Sequence, residues 1–163
     1  MLSNTDTLTI EASRQVMIVD DVPAIRTIVR ATLEHAGYDV VEAMSGEDAI
    51  AYMEQHADPL AMHAMLCDIN MPGIGGQHAI RHFLKHYPWV GVIVLTGDLD
   101  MTIAYGLLKL GVAQYLIKPV AHNQLREAVD RCVTQAVAAR GWADWRTTHS
   151  GRTHSELMMT GTA

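Results

Sequence analysis

The sequence predicts a doubly wound α/β domain of (βα)5 type, a three-layer sandwich with a parallel sheet between two helical layers. Three observations predict it. Five short apolar runs recur at intervals of roughly 25 residues, the room needed for a strand, a crossover helix and two short loops. The runs are continuously apolar instead of alternating, as strands buried on both faces are. The intervals between them carry apolar residues at helical spacing, so strand and helix alternate along the chain.

The first run is Val16-Met17-Ile18-Val19. The helix after it is marked by Ile25, Ile28, Val29, Thr32, Leu33 and Ala36, with Gly37 as its stop. Tyr38-Asp39-Val40-Val41 follows, and Ser45 with Asp48 three residues on forms a capping pattern for the second helix. Ala64-Met65-Leu66-Cys67 is the third strand. Ile80, Phe83, Leu84 and Tyr87 mark the third helix, halted by Pro88. After Val92-Ile93-Val94-Leu95, Asp98 can cap a fourth helix that ends at Gly111. Gln114-Tyr115-Leu116-Ile117 is the fifth strand, and Leu125, Ala128, Val129, Cys132, Val133, Ala136 and Val137 give the cleanest helical stripe of all. Residues 14–140 are thus one domain, 1–13 a flexible N-terminal segment, and 141–163 a largely disordered tail opening at Gly141.

Composition narrows the function. The 163 residues suit one domain with a single core. Twelve Lys plus Arg against eighteen Asp plus Glu give a net charge of −6, opposite to that of a nucleic-acid binder, so no direct nucleic-acid contact is expected. No apolar stretch approaches the ~20 residues of a membrane span, and residues 1–13 lack the form of a signal peptide. Cys67 and Cys132 make no disulfide framework or metal spacing, so a reducing, cytoplasmic setting is the expectation. His78, His82 and His86 fall at i, i+4 and i+8, but with no carboxylate or Cys among them they read as a solvated helical stripe.

Function turns on what ends each strand. The first run stops at Asp20-Asp21, the third at Asp68, the fourth at Thr96 and the fifth at Lys118-Pro119. In a parallel sheet these ends share one edge, the edge where open α/β sheets bind ligands. The second run brings no comparable group, which places it outermost and implies the strand order 2-1-3-4-5. Singly, each residue has a plain role: Asp21 a helix cap, Asp68 a turn initiator, Lys118 a solvated strand end. Together three carboxylates repel one another, and one Lys is too little compensation. A divalent cation is the natural partner, and hard oxygen donors with open positions suit Mg²⁺ holding a phosphoryl group. An Asp68 carboxylate attacking phosphorus, with Lys118 and Thr96 on the phosphoryl oxygens, would give an acyl phosphate.

The pieces Val19-Asp20-Asp21, Cys67-Asp68-Ile69-Asn70-Met71-Pro72-Gly73, Leu95-Thr96-Gly97 and Tyr115-Leu116-Ile117-Lys118-Pro119 occur in this order on these elements. The pattern resembles the receiver domain of bacterial two-component response regulators, over about residues 15–139. The resemblance implies a flavodoxin-like fold and Asp68 as phosphoacceptor, charged by a sensor histidine kinase, a phosphotransfer protein or a small-molecule donor. It implies Mg²⁺ on Asp21 and Asp68 directly, on Asp20 through water and on the backbone carbonyl of Asn70. Lys118 would pair with the phosphoryl oxygens, before a peptide bond to Pro119 that the family usually holds cis. Thr96 would be the switch hydroxyl and Tyr115 the aromatic that rotates inward with it. Gly75 departs from the polar residue common there.

The fourth helix carries Met101, Ile103, Tyr105, Leu107, Leu108 and Leu110, more apolar residues than one face needs. In the family the face of the fourth helix, fifth strand and fifth helix signals, so a downstream protein or a homodimer contact is expected there. The chain is then expected to be a phosphoacceptor signalling domain, not an enzyme on an external metabolite; its phosphoryl chemistry is self-directed transfer and autodephosphorylation. It would be a stand-alone receiver or the receiver part of a longer regulator. The alternative is a Mg²⁺-dependent phosphatase of the haloacid-dehalogenase type, which needs a second Asp two residues after its nucleophile. That position holds Asn70. A flavin-binding electron carrier of similar fold is the third reading, and Asp20-Asp21 would repel its phosphate.

Overall fold

In the computed structural model, residues 14–149 are described, apart from Ala57 and Ile74, and for 141–149 only the backbone is. Residues 1–13 and 150–163, expected to be flexible or disordered, lie outside the described residues. Five strands and five helices alternate: β1 (Gln15–Val19), α1 (Pro23–His35), β2 (Asp39–Ala43), α2 (Gly46–Gln55), β3 (Met62–Asp68), α3 (Gly75–His86), β4 (Gly91–Thr96), α4 (Met101–Leu110), β5 (Gln114–Ile117) and α5 (His122–His149). A 3-10 turn, Pro59–Ala61, leads into β3. All four strand pairings are parallel and the order is β2-β1-β3-β4-β5, as the polar strand ends imply.

Strand alternation divides the core in two. Val16 and Ile18 of β1, Ala64 and Leu66 of β3, and Ile93 and Leu95 of β4 face Val29 and Leu33 of α1 and Leu125, Val129, Cys132 and Val133 of α5. Their neighbours Met17, Val19, Met65, Cys67, Val92 and Val94 face the other layer, with Met53 of α2, Ile80 and Phe83 of α3 and Leu107 of α4. β3 is central and every one of its residues is buried. Each fully buried Phe, Leu or Ile here contributes about 1.5–3 kcal/mol.

Most helix signals act as the sequence implies. The Ser45 hydroxyl accepts from the Asp48 backbone N–H at 3.1 Å and opens α2. Gly37 and Gly111 end α1 and α4 with φ of 88° and 106°, a left-handed turn that costs glycine little. Three expectations need correction. Asp100, not Asp98, caps α4, accepting from the N–H groups of Thr102 and Ile103. Ile28 and Val137 lie outside the buried stripes, 55% and 49% exposed. α5 also runs past Gly141 to His149. Glycine inside a helix costs only about 1 kcal/mol against alanine, so Gly141 need not end α5. Ala138, Ala139, Arg140 and Ala143 around it all favour helix.

A polar strut ties α5 to the start of β3. Arg140 donates to the Met62 carbonyl at 2.7 Å, and its second nitrogen lies 3.1 Å from Nε2 of the buried His63. A guanidinium can only donate, so Nε2 accepts and Nδ1 carries the proton, directed at the Ala61 carbonyl 2.6 Å away. Burial, then the positive charge of Arg140, pushes the His63 pKa below its ordinary value; the Ala61 carbonyl opposes and Arg14 adds to it. The unfolded chain therefore takes up the proton first as pH falls. The His63 contribution is complete above the unfolded value of 6.5 and is lost as pH drops through the folded-state value. Urea midpoints at about pH 7.5 and about pH 5.5 are expected to differ more for the wild type than for His63→Gln.

Candidate functional site

The C-terminal ends of parallel strands share one edge, and there the fold gathers the polar residues that end the runs. Asp20 and Asp21 follow β1, Asp68 closes β3, Thr96 closes β4, and Lys118 follows β5. Asp20, Asp68 and Thr96 are buried, whereas Asp21 is exposed. One oxygen from each of Asp20, Asp21 and Asp68 lies within 4.8 Å of the others; among the described residues no other three carboxylate, imidazole or thiolate donors do so. The Lys118 ammonium donates to Asp20 Oδ2 at 2.6 Å and to Asp68 Oδ2 at 2.8 Å. Burial alone would lower the pKa of Lys118, but these two hydrogen bonds outweigh it and hold the pKa above the ordinary lysine value. The three carboxylates are hard anionic oxygen donors of the kind that suits Mg²⁺.

The free carboxylate oxygens are held by local backbone. Asp20 Oδ1 accepts from the Val22 N–H at 2.9 Å, and Asp68 Oδ1 from the Asn70 N–H at 2.8 Å. Asn70 then reaches across to β4, its side-chain amide donating to Thr96 Oγ1 at 2.9 Å. The Thr96 hydroxyl itself donates to the Asp98 carbonyl at 2.8 Å. Tyr115 packs inward against the core with its hydroxyl oxygen buried. That oxygen makes no hydrogen bond within ordinary limits of distance and angle, and burial raises its pKa. The Lys118–Pro119 peptide bond is cis.

Close approach of backbone shapes the loop after Asp68. A Cβ on Gly76 would lie 1.8 Å from the Asp68 carbonyl oxygen, so only glycine lets α3 start against the end of β3. Gly75 has φ of 73°, where a side chain would be strained, which accounts for glycine in place of a polar residue. Cys67 points away from the carboxylates and is inert: burial first, then the charges of Asp68 and Asp20, raises its thiol pKa.

Sequence reasoning missed Arg26. It shares the buried face of α1 with Val29 and Leu33, and its Nη1 donates to the Asp20 backbone carbonyl at 2.7 Å. Its Nε donates to Glu42 of β2 at 3.3 Å, and Glu42 also takes Arg30 at 2.6 Å. The Arg30 hydrogen bond, helped by Arg26, holds the Glu42 carboxyl below the usual glutamate range despite some burial. The signal was present: Arg26 stands three and seven residues before Val29 and Leu33.

Residues 16–130 match the family model described as the response regulator receiver domain. The chain belongs to the response regulator receiver family. The receiver is 34% identical over 117 residues to Response regulator GacA of Pseudomonas protegens, covering 71% of this chain and 53% of that protein. It is 30% identical over 118 residues to Transcriptional regulatory protein ZraR of Salmonella typhimurium, covering 72% of this chain and 26% of that protein. The chain thus spans from about a quarter to about half of these relatives. A receiver domain structure from Clostridium thermocellum superposes with a TM-score of 0.71 at 26% identity, over 77% of this chain and 98% of that one. Receivers of this family work with sensor kinases and downstream effectors.

Lys118 is the cation that balances the buried carboxylates when no metal is added. Without divalent cations, Lys118→Met is expected to lower the free energy of unfolding by about 1–3 kcal/mol. A wholly buried pair would lose more, but the Lys118 side chain keeps 20% of its exposure. Adding Asp68→Asn should restore much of that loss in urea unfolding, because one repelling charge is gone.

Proposed function

We propose that this receiver is a phosphorylation-controlled signalling switch, with Asp68 as the phosphoacceptor and Mg²⁺ as the required cofactor. The observation that carries the reading is the convergence of Asp20, Asp21 and Asp68 around the Lys118 ammonium at the sheet edge. An Asp68 carboxylate oxygen attacks the phosphorus of a phosphohistidine on a sensor histidine kinase or a phosphotransfer protein. The O–P bond forms as the P–N bond breaks, and the imidazole leaves. A small-molecule phosphodonor reacts in the same way, and attack by water later releases phosphate. Asp21 and Asp68 would hold Mg²⁺ directly, Asp20 through water and Asn70 through its backbone carbonyl, and the ion would supply charge neutralisation for the phosphoryl oxygens.

The protein groups position and relay. Lys118 exchanges a carboxylate oxygen for a phosphoryl oxygen, and Thr96 leaves the Asp98 carbonyl to donate to the phosphoryl group. Tyr115, packed beside Thr96, transmits that shift to the face of α4, β5 and α5. Met101 is 69% exposed and Tyr105 61%, with Leu108, Leu110 and Ile117 also exposed nearby. This apolar surface supports a downstream protein or a homodimer contact, and phosphorylation biases the two-state equilibrium that a partner reads.

The receiver unit is taken as 14–140, with 1–13 and 141–163 outside it, and its setting as cytoplasmic. No helix among the described residues is long and apolar enough to cross a membrane. The chemistry is self-directed, without an external metabolite, and specificity lies in protein contacts without direct nucleic-acid binding. The dehalogenase-type phosphatase finds no support: Asn70 cannot donate a proton as an acid, and its amide is spent on Thr96.

Acetyl phosphate with Mg²⁺ is expected to label the wild type and not Asp68→Ala, and chelation of Mg²⁺ to abolish labelling; label retained on Asp68→Ala would overturn the assignment. Thr96→Ala should still accept the phosphoryl group but lose the response to it. Gel filtration with beryllofluoride should show that loss as an absent shift in partner binding or dimerisation.

A further inference from the structure

Away from the acidic edge, α3 carries His78, His82 and His86 at helical spacing, one above the next. We propose that His82 and His86 form a second cation site, a two-imidazole chelate for a divalent d-block ion such as Zn²⁺, Ni²⁺ or Cu²⁺. The two rings face each other across the last turn of α3, their centroids 4.4 Å apart and their planes inclined by 33°. A metal–nitrogen bond of about 2 Å puts each ring centroid about 3.2 Å from the ion, so two cis imidazoles have centroids about 4.5–5.2 Å apart. The observed separation of 4.4 Å lies at the short end of that range, and rotation about the side-chain torsions of both residues would turn one nitrogen of each ring onto a shared ion.

The surroundings favour the same chemistry. His86 is exposed and His82 half-buried, so water can fill the remaining coordination positions. Burial, then the neighbouring His86, His78 and Lys85, lower the His82 pKa against the opposing effect of Glu54, which favours the neutral ring that ligates. Glu54, near the end of α2, is close enough to act on the charge of both His82 and Tyr87, and so brings negative charge to the site. The sequence alone placed no carboxylate beside these histidines; the packing of α2 on α3 supplies one. Imidazole nitrogen suits Zn²⁺, Ni²⁺ and Cu²⁺, whereas Mg²⁺ prefers the carboxylate oxygens at the other edge. The receiver would then hold two cation sites that differ in donor type.

The test is calorimetric titration of metal-stripped protein with Ni²⁺ in excess Mg²⁺, which keeps the acidic site out of the measurement. The wild type is expected to bind one ion at this site. His82→Ala and His86→Ala should each weaken binding by about a hundredfold, the ordinary advantage of two linked ligands over one. His78→Ala and Asp68→Asn should leave binding within about twofold. Cu²⁺ electron paramagnetic resonance should show coupling to two imidazole nitrogens in the wild type and to fewer in His86→Ala, whose exposed position leaves the fold intact. Binding unchanged in the His82→Ala/His86→Ala double variant, or lost in Asp68→Asn, would overturn the proposal.

Discussion

Three carboxylates held at one edge of a parallel sheet, with a single ammonium among them, are the constraint on which the rest of the structure depends. Asp20 and Asp68 are buried, where like charge is least screened, and Lys118 must reach both. That requirement fixes where β1, β3 and β5 end. It also explains why the loops after β1 and β3 each spend a backbone N–H on a carboxylate: Val22 on Asp20 and Asn70 on Asp68. The edge is held in place by the core beneath it and is itself electrostatically uneasy. Added positive charge at such an edge relieves the repulsion between its carboxylates.

The sheet beneath makes such an edge tolerable. β3 is buried along its whole length, and alternate side chains lock into the two helical layers, so its last residue has little freedom. Arg26 adds a second restraint by holding the Asp20 carbonyl while paired with Glu42 of β2. The same guanidinium therefore links the edge strand β2 to the acidic site, though β2 contributes no residue to the carboxylate cluster. Asn70 and Thr96 form a comparable link between β3 and β4. Asp68 is in this way connected by short polar steps to the neighbouring strands on both sides.

Much of this was legible from the amino acids. Continuous apolar runs gave away a sheet covered on both faces, because only burial on both sides removes the alternation. The outer place of β2 followed from its lack of a polar strand end. Asp20, Asp21, Asp68, Thr96 and Lys118 were visible as residues that terminate apolar runs, since parallel topology sends such residues to one edge. Less legible were groups whose role depends on a distant partner. Arg26 looks like any helical arginine until Glu42 and the Asp20 carbonyl are brought beside it, and His63 is unremarkable until Arg140 closes over it. The cap of α4 was displaced by two residues because Asp98 and Asp100 offer the same side chain, and only the path of the loop selects Asp100.

The sequence by itself therefore determined the element order, the sheet type and the residues that end each strand. Those properties follow from local patterning: apolar periodicity, turn residues and the polar residues that close the apolar runs. Only the tertiary structure decided that the Thr96 hydroxyl donates to the Asp98 carbonyl, that α5 passes through Gly141, and that the charge of Glu54 acts on His82. Side-chain orientation is settled by neighbours distant in sequence, whose packing and charge outweigh the small local preferences of one residue. A glycine penalty of about 1 kcal/mol or a free rotamer yields to such contacts; the direction of a polar strand end does not, because the whole sheet sets it.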